Sequence, residues 1–220
     1  SAFDGLTDSY DDGNSTWVKQ GSTLNYTSTN ATGLYYRVWN SSAGWGQWTS
    51  ITANFTLAIH DDGTIHVEWY AFNGSLVEDT HNSSFMFDET APTVSLTIGT
   101  PANGTRIAPW TDLSLSASDS GVGVDEIRYR IWNGSAWSTW SVYSDPFNLS
   151  GFADGTYFVE SQSEDLLAHT SSVLNSSLEV DDSLNAPMSA FDGLTDSYDD
   201  GNSTWVKQGS TLNYTSTNAT

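Results

Sequence analysis

"LYYRVWNSSAGWGQWTSITANFTL" (34–57) and "IRYRIWNGSAWSTWSVYSDPFNL" (127–149) are two versions of one pattern. Tyr36, Arg37, Trp39 and Asn40 fall on Tyr129, Arg130, Trp132 and Asn133. Trp45 and Trp48 fall on Trp137 and Trp140, and Phe55 and Leu57 on Phe147 and Leu149. Each version opens with strict alternation. Leu34, Tyr36 and Val38 share one face, with Tyr35, Arg37 and Trp39 on the other. Ile127, Tyr129 and Ile131 likewise oppose Arg128, Arg130 and Trp132. A period of two is the signature of a half-buried strand.

The match extends in both directions from this pair. "DDGTIHVEW" (61–69) aligns with "ADGTYFVES" (153–161), and "HNSSFMFDETAP" (81–92) with "LNSSLEVDDSLNAP" (174–187), at an offset of 92–95 residues. Ile65, Val67, Trp69 and Ala71 are expected to point inward, and His66, Glu68 and Tyr70 outward. "DDG" and "ADG" are turn signals just before those strands. No stretch keeps a helical apolar period over three turns. Short strands at this spacing predict an all-β fold of tandem antiparallel immunoglobulin-like β-sandwiches, about seven strands each, arranged as beads on a string. The boundaries read as 1–90 for the first domain and 91–187 for the second.

A second, stricter repeat lies on top of the first. Residues 1–32 and 189–220 are identical at every position, which sets a unit of 188 residues. Residues 188–220 are therefore expected to be the first strands of a next unit, incomplete alone. Strand exchange between separate subunits is the other way to use such a segment. It is disfavoured, because a neighbour already holds an identical 1–32 in the same slot.

"DETAPTVSLTIGTPANGTRI" (88–107) and "SDSGVGVDEIRYRIWNGSAW" (118–137) are similar to the immunoglobulin-like, fibronectin-type-III-like repeat domains of bacterial and archaeal surface proteins. The resemblance covers 88–187 and reaches 16–92 through the internal match. It implies a surface protein, and such modules serve as spacers, adhesive tips or enzyme appendages. Residues 1–20 depart from its pattern, which leaves the first strand of the first domain unassigned.

Composition narrows the function. A net charge of −21 with six Lys and Arg excludes nucleic-acid binding, since no basic stripe exists to displace counterions from phosphates. No apolar run is long enough for a direct membrane span. The absence of cysteine excludes a disulfide frame and thiol chemistry. Of 15 asparagines, 14 begin N-x-S/T: Asn14, Asn25, Asn30, Asn40, Asn54, Asn73, Asn82, Asn103, Asn133, Asn148, Asn175, Asn202, Asn213 and Asn218. Turn-forming asparagines in a Ser/Thr-rich chain are the plain explanation. N-glycosylation at an extracellular cell surface is the functional one, and the density favours it.

No catalytic motif is found, and the expectation is not an enzyme. His60, His66, His81 and His169 lack metal-ligand spacing and are expected at the surface. A structural calcium ion is the one cofactor the sequence suggests besides covalent N-glycans. Its candidate ligands are Asp8 and Asp11 in "DGLTDSYDDGN" and Asp119 and Asp125 in "SDSGVGVDE". The interdomain linkers at Asp88/Glu89 and Asp181/Asp182 are its best setting. The recurring Trp pairs are expected to pack structurally rather than to stack on external sugar. The leading expectation is a glycosylated extracellular filament or surface stalk whose partner is itself. The alternatives are an adhesin or carbohydrate-binding module, and an S-layer protein.

Overall fold

The computed structural model describes residues 1–51, 54–58 and 60–184, together with the backbone of four strands beyond them. The described residues form no helix, so none is long and apolar enough to cross a membrane.

The first set of strands runs β1 (Ala2–Leu6), β2 (Ser9–Asp11), β3 (Thr16–Val18), β4 (Thr23–Thr27), β5 (Gly33–Asn40) and β6 (Gly44–Trp45). It continues with β7 (Thr49–Ile51), β8 (Phe55–Thr56), β9 (Gly63–Asn73), β10 (Leu76–Val77) and β11 (His81–Phe87). β1, β4 and β8 make one sheet. β2, β3, β11, β9, β5 and β6 make the facing one, with β7 on β5 and β10 on β9. These segments outnumber the seven strands expected. β6 and β7 are short pieces added at the edge of β5, and β10 is the return of the hairpin that turns at Gly74 (φ 59°).

The core lies between the two sheets. Leu24, Tyr26 and Phe55 come from one side, and Leu34, Ile65, Val67, Trp69, Phe85 and Phe87 from the other. Tyr36 and Val38 pack against it as the alternation requires. Period-two apolar residues form a single buried layer because successive side chains leave a strand on opposite faces.

The second set is β12 (Thr93–Ile98), β13 (Ala102–Asn103), β14 (Arg106–Ile107), β15 (Leu113–Ser118), β16 (Val124–Trp132), β17 (Ser141–Val142), β18 (Gly155–Asp165) and β19 (Leu174–Val180). β12 pairs with β15, and the larger sheet runs β13-β14-β19-β18-β16-β17. Its core holds Ile107, Leu113, Leu149, Tyr157, Val159, Leu178 and Val180.

The principal strands of the two sets correspond, including the first strand that residues 1–20 left unassigned. β1 lies antiparallel to β4 as β12 does to β15, and the β2–β3 hairpin matches β13–β14. β3 runs parallel to β11, with Val18 opposite Phe87, just as β14 runs parallel to β19, with Ile107 opposite Val180. The sequence similarity is hidden because a bulge between Phe3 and Gly5 shifts the alternation of β1.

Beyond Leu184 come β20 (Met188–Leu194), β21 (Ser197–Asp199), β22 (Thr204–Val206) and β23 (Leu212–Thr217). β20 pairs with β23 and β21 with β22 in the registers of β1–β4 and β2–β3, down to the bulge between Phe191 and Gly193.

Candidate functional site

The two sandwiches meet where β11 ends. The β3–β11 ladder continues one step, with the Asp88 amide donating to the Val18 carbonyl at 3.0 Å. That step drives the Asp88 side chain into the loop joining β15 to β16. Its Oδ2 accepts from the Val122 amide at 2.7 Å, and its Oδ1 from the Thr90 amide at 3.0 Å. Asp88 is fully buried, and Gly121 is packed against its carboxylate. The same loop is tightened by Asp119, whose Oδ2 accepts from the Gly121 and Gly123 amides at 2.9 Å each.

A second buried acid stands close by. Asp165 Oδ1 accepts from the Leu167 and His169 amides, each at 2.8 Å, and Oδ2 lies 2.7 Å from His169 Nδ1. Asp88, Asp165 and His169 bring ligand atoms within 4.8 Å of one another. Lys19 crosses from the first sandwich, its Nζ donating to the Leu167 carbonyl at 2.5 Å. The Gln20 amide donates to the Glu89 carboxylate, which ties down the linker. Burial pushes the Asp88 carboxyl above its ordinary range, helped by the charges of Asp119 and Asp62 and opposed by its two amide donors.

Two buried carboxyl groups thus stand beside one imidazole. His169 Nδ1 reaches the Asp165 carboxylate, and the same three side chains form a donor set that would hold a divalent cation. His169 is thus no free surface residue. A D-x-x-x-H spacing that closes a tight turn after a strand was the available signal, and it resembles no standard ligand motif. The other acidic group among the described residues is Asp154, Asp181 and Asp182, at the far end of the second sandwich. There Asp181 is held by Arg106 and Ser183 of its own sandwich.

The acids singled out in the sequence are not gathered. Asp11 Oδ1 accepts from the Gly13 amide at 2.8 Å in a small exposed turn, and Asp8 stands at positive φ with an exposed side chain. Asp125 is exposed on β16. Asp119 alone reaches the junction, as part of the loop that grips Asp88. Its Oδ1 is buried without a hydrogen-bond partner.

The Trp pairs hold an arginine. Arg37 Cζ lies 4.4 Å from the Trp45 ring and 4.6 Å from Trp48, and its Nε donates to Glu68 Oε2 at 2.7 Å. Arg130 sits 4.7 Å from both Trp137 and Trp140 and is paired with Glu160 at 2.7 Å. These ladders cover the outer face of each larger sheet with alternating ring and guanidinium.

Eleven sequons fall on described residues. Nine of their asparagines are exposed, and Asn25 and Asn40 are half-buried. Asn133 shows how the turn and sequon readings coexist. Its Oδ1 accepts from the Ser135 and Ala136 amides at 3.0 and 2.9 Å, and among the described residues none takes up Nδ2. Asn40, Asn73 and Asn175 differ: Asn40 Nδ2 lies 3.0 Å from His60 Nδ1, and Nδ2 of Asn73 and Asn175 donates to the Asn30 carbonyl at 2.7 Å and to Glu160 at 3.2 Å. Asn202, Asn213 and Asn218 lie outside the residues whose side chains are described.

No protein-family model and no curated protein matches the chain. Among solved structures it is similar to the fibronectin(III)-like modules of Clostridium thermocellum CbhA, at 11% identity and a TM-score of 0.36, covering 74% of this chain and 87% of that one. It is also similar to a tetra-tandem repeat in the extending region of a large adhesion protein, at 16% identity and a TM-score of 0.34. That match covers 79% of this chain and 49% of the other, so the chain spans about half of the adhesion-protein structure.

Proposed function

We propose that this chain is a length of a tandem array in which a two-sandwich unit of 188 residues recurs, forming a glycosylated extracellular filament or surface stalk. The observation that carries the reading is the repeated opening. Residues 189–220 restate 1–32 without a change, and β20–β23 restate the pairing of β1–β4 with the same bulge. In the first sandwich, β4 is completed by β8 and β3 by β11.

The role is mechanical rather than catalytic. Each sandwich touches mainly its neighbours, and stability accumulates along the array. Strands of about seven residues at ~3.3 Å per residue, with their loops, give about 35–45 Å per sandwich and about 70–90 Å per unit. Glycans at exposed sequons and a charge of −21 would shield strand edges from lateral pairing.

Limited proteolysis of the native material tests this. Cleavage at linkers is expected to give a ladder whose steps equal one unit. A single species of 23.9 kDa before digestion, the mass of these 220 residues alone, would overturn it.

A further inference from the structure

The joint between one unit and the next cannot be a copy of the joint within the unit. The loop that grips Asp88 has no counterpart in the first sandwich. Leu24 and Leu113 are equivalent, each paired to a phenylalanine, and Tyr36 and Tyr129 each stack on that phenylalanine. Between these landmarks the second sandwich is four residues longer, and the extra length holds the Asp119–Gly123 turn. Asp181, the equivalent of Asp88, is correspondingly turned toward its own Arg106 and Ser183. The linker also differs: four residues separate Asp88 from β12, but six separate Asp181 from β20.

What the ends do offer is apolar. Within the unit, the Lys19–Ser22 loop of the first sandwich touches Leu167 of the second. The equivalent loop of the second sandwich is Ala108–Thr111. Both are closed by the same two bonds: Lys19 and Ala108 amides to the Ser22 and Thr111 hydroxyls, and Ser22 and Thr111 amides back to the Lys19 and Ala108 carbonyls. Where the first loop presents Lys19, the second presents Trp110, which is 48% exposed. The counterpart of the Leu166–Leu167 turn is the β9–β11 connection, with Leu76 at 74% and Val77 at 62% exposure. These two border a depression of about 270 Å³ that also includes Asn30, Ala31 and Phe72.

The chain path brings the two together. The Ser1 hydroxyl donates to the Glu78 carboxylate, next to Val77. In the following unit its place is taken by Ser189, which is joined to Met188. From Asp181 to Ser189 the chain spans at most about 26–29 Å when fully extended, so the end of the second sandwich stays within that reach of the next Leu76–Val77 turn.

We propose that Trp110 of one unit docks on Leu76 and Val77 of the next, making an apolar, unlocked joint that alternates with the Asp88-locked joint inside each unit. This rests on the tandem reading above. The contact is heterologous, one patch meeting a different patch, and such contacts extend indefinitely instead of closing into dimers. The array then behaves as two-sandwich rods linked by softer joints.

The test uses the chain continued through a second full unit. The native sequence has no cysteine, so paired spin labels can be placed freely. Cysteines at Asp112 of the first unit and Ser75 of the second report the unit-to-unit joint. Cysteines at Gln20 and Ser172 of one unit report the internal joint and confirm folding. The proposal predicts a defined distance across the unit boundary, and a distribution whose width at least doubles with Trp110→Ser or with Leu76→Ser/Val77→Ser. The internal pair is expected to stay unchanged in every variant. A boundary distribution that these substitutions leave untouched would overturn the docking. Because the two units are covalently joined here, that result would stand apart from any failure of the native material to form an array.

Discussion

The Asp88 carboxylate lies so close to Gly121 that a Cβ there would fall 2.1 Å from its Cγ. Two sandwiches are thereby fitted to each other at one backbone position. Gly121→Ala should open this contact, because the carboxylate it meets is buried and held by the Val122 and Thr90 amides. The expected cost is about 1–3 kcal/mol, read by urea unfolding. Loss of exchange protection at the Val122 amide locates the damage. Asp88→Ala in the same chain should remove most of the extra penalty, so the pair should be strongly non-additive.

The junction should respond to pH in an unusual direction. A carboxyl raised above its ordinary value of 3.8 contributes stability below that value and loses it as pH climbs through the raised pKa. Asp62, Asp119, Asp165 and His169 all bear on Asp88, and Lys19 crosses the same seam. Protection of the Val122 amide, corrected for intrinsic exchange, should therefore fall as the pH rises out of the acid range. Asp88→Asn should flatten that dependence. Identical profiles for the two proteins would contradict this origin.

The Trp–Arg ladders predict that arginine is not replaceable by lysine. Arg130→Lys loses a planar cation between two rings and the paired contact to Glu160. About 1–2 kcal/mol is expected, from roughly 0.5–1 kcal/mol per ring face. Tryptophan emission should shift in the folded protein, because Trp137 and Trp140 gain mobility. A Lys variant as stable as the parent would show that the stack is incidental.

Glycan occupancy should follow exposure. Site mapping of native material by mass spectrometry should find the exposed Asn14, Asn82, Asn103 and Asn133 occupied more fully than Asn25 and Asn40. Asn40 should be lowest, because its amide nitrogen faces His60. Full occupancy at Asn40 with empty sites at Asn103 and Asn133 would contradict the prediction.

The alternation of Ile65, Val67 and Trp69, and of Leu34, Tyr36 and Val38, made the sandwich legible, because burial follows the pleat directly. The first strand was not legible, since the bulge at Gly5 breaks its period. The candidate site was half legible. Asp88 and Asp119 were in view from the sequence, one in a linker and one in an acidic turn. Asp165 and His169 were not, because they meet Asp88 only when a turn eighty residues away folds against the linker. The Trp pairs pack on Arg37 and Arg130, partners that alignment alone could not show.

The central claim is an array built from one repeating unit. Electron microscopy of native surface material tests it most directly. The account predicts unbranched fibres or stalks with an axial repeat of about 70–90 Å, one two-sandwich unit at ~3.3 Å per strand residue plus loops. Uniform isolated particles containing two sandwiches each would contradict it.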